Sequence, residues 1–292
     1  MTEHTAQPPT VLDRLRYLLV LSRPRFWLYL AGPVVVGVVY AATTVPELFG
    51  PSAVALAAYF LLPANVLLYG VNDVFDADVD AVNPKKGTKE ARWQGDRLVA
   101  AAIVVAGALG VGTFLVTPPV AWPYLVGFFV LGIGYSAPPL RFKTTPVADS
   151  VSNGLYILPG AAAYAAVAGA HPPLLALVGA WLWTMAMHTF SAIPDLEPDR
   201  AAGIRTTATW LGERRTYAYC VACWTAAAAA FALVDPRFLL AFGIYPPFVA
   251  WVASGTVAVD RAYWWFPALN TAVGAALSIA GLWRIVPGWG VV

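Results

Sequence analysis

Nine apolar runs, each about twenty residues long, follow one another along the chain between short polar or proline-rich breaks. As a helix, a run of this length crosses a hydrocarbon core of about 30 Å. Apolar residue types make up 59% of the 292 residues and charged types only 12%, against about 25% charged in an average soluble domain. A soluble fold would expose much of that apolar excess to water. We therefore predict an all-α, polytopic membrane protein with nine transmembrane helices.

The predicted spans lie between charged or proline-rich breaks. They are Phe26–Ala42, Ser52–Asp76, Leu98–Val116, Val120–Ser136, Val147–Gly169, Leu174–Ile193, Thr216–Val234, Phe238–Val259 and Tyr263–Val286. We interpret residues 1–292 as one intramembrane domain whose first residues, 1–20, form a cytoplasmic arm.

The basic residues predict the orientation of the spans. If the N-terminus lies inside, 16 of the 18 Lys and Arg residues fall in inner segments, and only Arg237 and Arg284 fall outside. Because the cytoplasmic loops of membrane proteins carry an excess of Lys and Arg, we expect a cytoplasmic N-terminus and insertion in the cell membrane. The net charge of +2 gives no reason to expect a nucleic-acid partner.

Acidic residues cluster at the inner end of the second predicted span. An α-helix turns about 100° per residue, so residues three, four and seven apart lie on one face. That face carries Asn72, Asp73, Asp76 and Asp80, and it continues backward through Asn65 and Tyr69. We expect these polar side chains to lie together at the cytoplasmic end of the span.

A second acidic cluster closes the sixth predicted span. Asp195 and Asp199 share a helical face with His188, whereas Glu197 points to the opposite side. Prolines at 194 and 198 can kink or end this helix. The two clusters, counting Asp78 on the other side of the first helix, together hold seven of the sixteen acidic residues, and we expect both on the same side of the membrane.

Carboxylates that share a face at one membrane depth repel one another unless a cation lies between them. Oxygen ligands of this kind suit Mg²⁺, which commonly bridges carboxylates and phosphate oxygens. The alternative is that both clusters are solvated inner loops. Basic residues lie beside the clusters and admit two interpretations, membrane topology alone or a clamp for a diphosphate; they are Lys85, Lys86, Arg141, Lys143 and Arg200.

The sequence resembles the UbiA superfamily of intramembrane prenyltransferases. Three motifs carry the resemblance: NDxxDxxxD at Asn72, Asp73, Asp76 and Asp80; DxxxDxxxG at Asp195, Asp199 and Gly203; and a tyrosine-and-basic motif at Tyr135, Arg141 and Lys143. The resemblance covers the whole chain and implies nine helices around a central cavity, with both aspartate motifs cytoplasmic. The stretches LPANVLLYGV, YSAPPLRFK and IPDLEPDRAAGIRTTAT are similar to the lycopene elongase branch.

The resemblance also implies an activity and assigns roles. Members of that branch add five-carbon units from dimethylallyl diphosphate to lycopene on the way to C50 carotenoids, and some also hydrate the product. Two Mg²⁺ ions would be bound by Asn72, Asp76, Asp80, Asp195 and Asp199, with Asp73, Asp76, Asp195 and Asp199 as catalytic residues. Substrate-binding residues would be Asn65, Tyr69, Lys85, Lys86, Tyr135, Arg141, Lys143 and Arg200.

The final proton transfer has one candidate within the spans. His188 is the only histidine predicted inside the membrane and faces the second cluster, so we expect it to accept a proton or hold water. The alternative is an ordinary hydrogen bond between helices. Asp149 and Asn153 form another polar face, which we place at the pocket rim or in packing.

Two rival functions stay open from the sequence. The same chemistry could use another acceptor, a glycerophosphate ether-lipid precursor or a quinone ring. Alternatively, intramembrane carboxylates could mark an ion-coupled transporter, although transporters place such groups near the membrane midplane.

Overall fold

The computed structural model describes residues 10–76 and 95–286. Within these residues, nine helical segments are long and apolar enough to cross a membrane, and no β-strand occurs. In chain order, spans 1 to 9 are Val11–Ala41, Pro51–Phe75, Arg97–Leu115, Pro119–Ser136, Ala148–Ala168, Leu174–Ala201, Glu213–Val234, Pro236–Ala253 and Val259–Leu282. The predicted all-α fold with nine spans is confirmed.

Span 1 begins earlier than the sequence predicted. A helix covers Val11–Leu21, a short turn covers Pro24–Phe26, and a second helix covers Trp27–Ala41. Thr10 begins the first helix through a capping box, in which its hydroxyl accepts from the Asp13 N–H at 3.2 Å. Charged residues interrupt the leucines of this helix, which is why it does not read as an apolar run in the sequence. The predicted N-terminal arm is therefore helical from Val11 onward.

Prolines interrupt two spans on the way to the predicted site. Span 2 consists of helices Pro51–Leu61 and Pro63–Phe75, because Pro63 lacks the N–H that would continue the first helix. Span 6 is helical over Leu174–Ser191, passes through a 3₁₀ turn around Pro194 and continues as Leu196–Ala201. The break that the sequence predicted at Pro194 is therefore present.

Span 3 begins at a side-chain cap beside the first helix of the chain. The Asp96 carboxylate accepts a hydrogen bond from the Leu98 N–H at 2.7 Å, which is the main cause that lowers the pKa of Asp96. The same carboxylate binds Arg14 Nε at 3.1 Å. The ion pair joins the first helix of span 1 to the beginning of span 3.

The spans form two apolar halves. One core contains buried residues of spans 1, 2, 4 and 5, and another contains buried residues of spans 6 to 9. Spans 1 and 5 approach so closely that a Cβ atom at Gly37 would lie 2.2 Å from the Gly160 carbonyl oxygen. Small residues allow such close helix packing in membranes, where dispersion contacts replace the hydrophobic effect. Tyr156 packs against both halves, and a cavity lies between them.

Candidate active site

A cavity of about 280 Å³ opens between the two halves. Its walls come from spans 1, 2, 4, 5, 6 and 9 and from the segment between spans 4 and 5: Arg23, Phe26, Tyr29, Leu68, Tyr69, Asn72, Tyr135, Lys143, Asn153, Leu155, Tyr156, Met187, His188, Ser191 and Tyr263. Five of these residues are tyrosines. Of the predicted site residues, the cavity therefore contains Tyr69, Asn72, Tyr135, Lys143 and His188.

Asp76 lies at the end of span 2 and meets two basic residues of the predicted third motif. Lys143 Nζ contacts Asp76 Oδ1, and Arg141 Nη2 lies 3.6 Å from the same oxygen. The position therefore attracts positive charge. Arg141 Nε is buried and has no hydrogen-bond partner within the described residues, which leaves a donor for an anion such as a phosphate oxygen.

Asn72 lines the cavity one turn before Asp76. Its Nδ2 donates to the Ser136 hydroxyl at 2.9 Å, which orients the amide. Because Nδ2 is the donor in this bond, Oδ1 is the atom that can ligate a cation. The oxygen donors of Asn72 and Asp76 therefore fit a hard cation such as Mg²⁺.

Asp73 is nearly enclosed, with a side chain 2% exposed, and its Oδ1 lies 3.7 Å from Arg23 Nη2. The Arg23 guanidinium also lies 4.6 Å from the ring centroid of Tyr69, in cation–π geometry. Arg23 lines the cavity, whereas the sequence motifs assign it no role beyond its place among the 16 inner basic residues. The sequence feature that could have drawn attention to Arg23 was the adjacent Pro24, which begins the turn that interrupts span 1.

The second acidic cluster lies beyond the cavity along span 6. His188 and Ser191 line the cavity wall, and Asp195 follows Ser191 by one turn, in the 3₁₀ segment Ile193–Asp195. Asp195 and Asp199 are both half-buried, whereas the Glu197 side chain is 86% exposed. The predicted division of this segment into two faces agrees with the exposure.

Two predicted substrate-binding residues lie away from the cavity. Arg200 is exposed, and its Nη1 lies 3.2 Å from Glu197 Oε1. Asn65 is fully buried, and its Nδ2 donates to the carbonyl oxygens of Phe60 at 3.1 Å and Leu61 at 3.0 Å. The Asn65 amide thus satisfies carbonyl groups left by the helix break before Pro63, and its part in substrate binding stays a prediction.

Three predicted residues, Asp80, Lys85 and Lys86, lie outside the described residues. Over residues 10–76 and 95–286, no group of three or more His, Cys, Asp or Glu side chains is close enough to hold a metal ion. The metal ligands therefore stay a prediction. Among the described residues, Asn72 lines the cavity, and Asp195 follows the lining residue Ser191 by one turn.

Comparison with known proteins gives the family of this chain. Residues 30–285 match the UbiA prenyltransferase family. A lycopene elongase/hydratase of Haloferax volcanii is 65% identical over 276 residues, which cover 94% of this chain and 92% of the relative. A lycopene elongase/hydratase of Halobacterium salinarum is 62% identical over 273 residues, which cover 94% of this chain and 99% of the relative.

Solved structures share the fold. A UbiA homolog from Archaeoglobus fulgidus bound to GPP and Mg²⁺ superposes with a TM-score of 0.73 at 20% identity, covering 92% of this chain and 99% of the other. The same homolog bound to DMAPP and Mg²⁺ gives a TM-score of 0.72 over the same shares of both chains. The family match over most of the length, the two close relatives and the nine-span fold show that this chain belongs to the UbiA prenyltransferase family.

Proposed function

We propose that this chain transfers a dimethylallyl group from its diphosphate to lycopene, acting as a Mg²⁺-dependent lycopene elongase that also hydrates its product. The observation that carries the proposal is a tyrosine-rich cavity lined by Asn72 and Lys143, with Asp76 of the first motif paired to Lys143 and Arg141. Relatives at 65%, 62% and 55% identity are named lycopene elongase/hydratase, which supports the acceptor and the hydration.

Mg²⁺ is proposed from the donor chemistry and from the Archaeoglobus fulgidus homolog, which binds Mg²⁺ with GPP or DMAPP. When bound, Mg²⁺ would act as a Lewis acid that neutralises the charge gathering on the departing diphosphate. The residues that would hold it are those of the two motifs: Asn72, Asp76, Asp80, Asp195 and Asp199.

Basic residues at the cavity mouth would bind the diphosphate itself. Lys143 lines the cavity, and Arg141 carries a buried donor without a partner among the described residues. Both also contact Asp76, so the same carboxylate holds them in place before the substrate enters. Arg23 approaches from span 1 and would add a third positive charge. Pre-positioned donors stabilise the charge of a leaving group more effectively than water does.

The aromatic walls would protect the allylic cation once the diphosphate has left. Tyr29, Tyr69, Tyr135, Tyr156 and Tyr263 surround the cavity. The faces of aromatic rings attract cations, and a cavity enclosed by apolar spans excludes bulk water that would quench the cation early. The terminal double bond of lycopene could then attack the cation, which forms the new carbon–carbon bond.

Orientation follows from the basic residues, and we propose that the cavity mouth faces the cytoplasm. The membrane-embedded fold also suits an acceptor without a polar head. Membership of a prenyltransferase family argues against the transporter alternative. A glycerophosphate lipid or a quinone ring stays in the test as a competing acceptor.

The test supplies membranes containing the protein with dimethylallyl diphosphate, Mg²⁺ and lycopene, and analyses the products by mass. We expect lycopene carrying one and two added five-carbon units, together with hydrated forms. The Asp76→Asn protein in the same membranes is the inactive control. Alkylation of a glycerophosphate lipid or a quinone precursor, with lycopene unchanged, would contradict the proposed acceptor.

A further inference from the structure

Asp149 is a buried carboxylate to which the proposed transfer step assigns no role. It lies at the inner start of span 5 and is 1% exposed. Burying a charged group is costly unless partners compensate for the lost water. Its neighbours therefore show what the carboxylate does.

Both oxygens of Asp149 are held by the helix that follows the second acidic motif. Oδ2 accepts from the Thr207 backbone N–H at 2.9 Å, and Oδ1 accepts from the Thr207 hydroxyl. That hydroxyl is also the acceptor for the Val147 N–H at 2.7 Å. The carboxylate is consequently fixed in position, with little freedom to move when substrates enter.

The fixed carboxylate faces His188 from behind the cavity wall. His188 Nε2 lies 3.8 Å from Asp149 Oδ2 and 3.5 Å from the Tyr135 hydroxyl. The Tyr135 and His188 rings meet edge to face, with centroids 5.9 Å apart and an interplanar angle of 88°. His188 and Tyr135 line the cavity, together with the polar Asn153, whose Nδ2 donates to the Asp149 carbonyl at 2.6 Å.

Resting on the proposed function, we propose that His188, positioned by Asp149, accepts the proton of the water that ends the reaction, and so favours an alcohol over an alkene. Attack by lycopene leaves a tertiary carbocation. In hydration, a lone pair of a water molecule held at the Tyr135–His188 wall forms the carbon–oxygen bond, and a proton of that water passes to Nε2. In the competing elimination, a neighbouring C–H bond supplies the electron pair of the new double bond, and its proton passes to the released diphosphate.

Asp149 would act through His188 as a positioning residue. Protonation of Nε2 creates an imidazolium, and the carboxylate 3.8 Å away stabilises that positive charge where water is scarce. Tyr135 orients the imidazole and can hydrogen-bond the incoming water. The arrangement places one proton acceptor on one side of the cavity, so a single product is favoured.

The experiment compares products and diphosphate release for His188→Gln, Asp149→Asn, Thr207→Val and Thr113→Val, using full-length protein in membranes with dimethylallyl diphosphate and lycopene. We expect the ratio of hydrated to unhydrated product to fall by roughly tenfold or more in His188→Gln, since general acid–base groups contribute about 10²–10⁴-fold. Asp149→Asn keeps the shape of the side chain and should lower the ratio by a smaller factor.

Thr207→Val removes the hydroxyl that binds Asp149 and leaves the backbone N–H that also holds it, so it should lower the ratio less than Asp149→Asn does. Thr113→Val is the matched control, because it removes a buried hydroxyl of span 3 that binds the Gly110 carbonyl and should leave the ratio unchanged. An unchanged ratio in His188→Gln, or an equal fall in Thr113→Val, would overturn the inference. If the unmodified protein releases diphosphate without prenylating lycopene, the proposed acceptor fails instead.

Discussion

The two acidic motifs resemble each other in sequence but lie in different surroundings. In the first, the side chains of Asp73 and Asp76 are 2% and 15% exposed and face Arg23, Lys143 and Arg141. In the second, a proline break turns the helix, and the exposed Glu197 and Arg200 pair with each other at the surface. The first motif is thus enclosed by basic residues from other elements, whereas Asp195 and Asp199 of the second are only half-buried. Carboxylates with similar spacing therefore differ in how deeply the fold buries them.

Removal of Mg²⁺ should have the largest effect, because it acts on both motifs together. With excess chelator, we expect diphosphate release from dimethylallyl diphosphate to fall by more than about 10³-fold, since several kcal/mol of charge stabilisation are lost. Restoring Mg²⁺ should restore the rate. Full activity in chelator would show that the motifs do not share a metal-bound diphosphate.

Matched single substitutions compare the motifs directly. We expect Asp76→Asn and Asp199→Asn each to reduce diphosphate release by roughly 10²–10³-fold, the usual loss when one stabilising group is removed from developing charge. Glu197→Gln changes an exposed pair of the same segment and should stay within about twofold. If Asp199→Asn behaved like Glu197→Gln, the second motif would have no part in the site.

A single and a double variant test the ion pair between Arg23 and Asp73. Arg23→Gln removes a positive charge 3.7 Å from the buried Asp73 carboxylate and should cost roughly 1–3 kcal/mol of stability, measured as a lower unfolding temperature in detergent. The double variant Arg23→Gln/Asp73→Asn should recover part of that stability, because the carboxylate charge is removed as well. Stability alone is compared in this double variant, because Asp73 is itself a predicted catalytic residue. A double variant no more stable than Arg23→Gln would show that the two residues are not coupled.

Substitution of Asn65 should have the smallest effect, and it tests a predicted substrate-binding residue that does not line the cavity. Asn65→Ala removes two hydrogen bonds to carbonyl groups at the break in span 2 and should cost roughly 1–3 kcal/mol of stability. The KM for dimethylallyl diphosphate should be unchanged in the folded fraction. A large rise in KM with normal stability would show that Asn65 takes part in substrate binding.

Part of the site could be predicted because helical spacing is local. Tyr69 and Asn72 are three residues apart and line the cavity together, as the sequence predicted. Asn65 lies in the same unbroken helix, Pro63–Phe75, but does not line the cavity, because it is seven residues before Asn72 and its amide donates to the Phe60 and Leu61 carbonyl oxygens. A helical wheel gives the face of a residue, and it does not give the hydrogen-bond partners that a neighbouring helix break provides.

By itself, the sequence determined the nine spans, the two acidic motifs and the basic motif between spans 4 and 5, because hydrophobic length and helical period are properties of neighbouring residues. Only the tertiary structure decided that Arg23 meets Asp73 and that Asp149 faces His188. These pairs join residues 50 and 39 positions apart on different spans. Their contacts depend on how the helices pack, and that packing is set by shape and close approach across the bundle rather than by any local pattern.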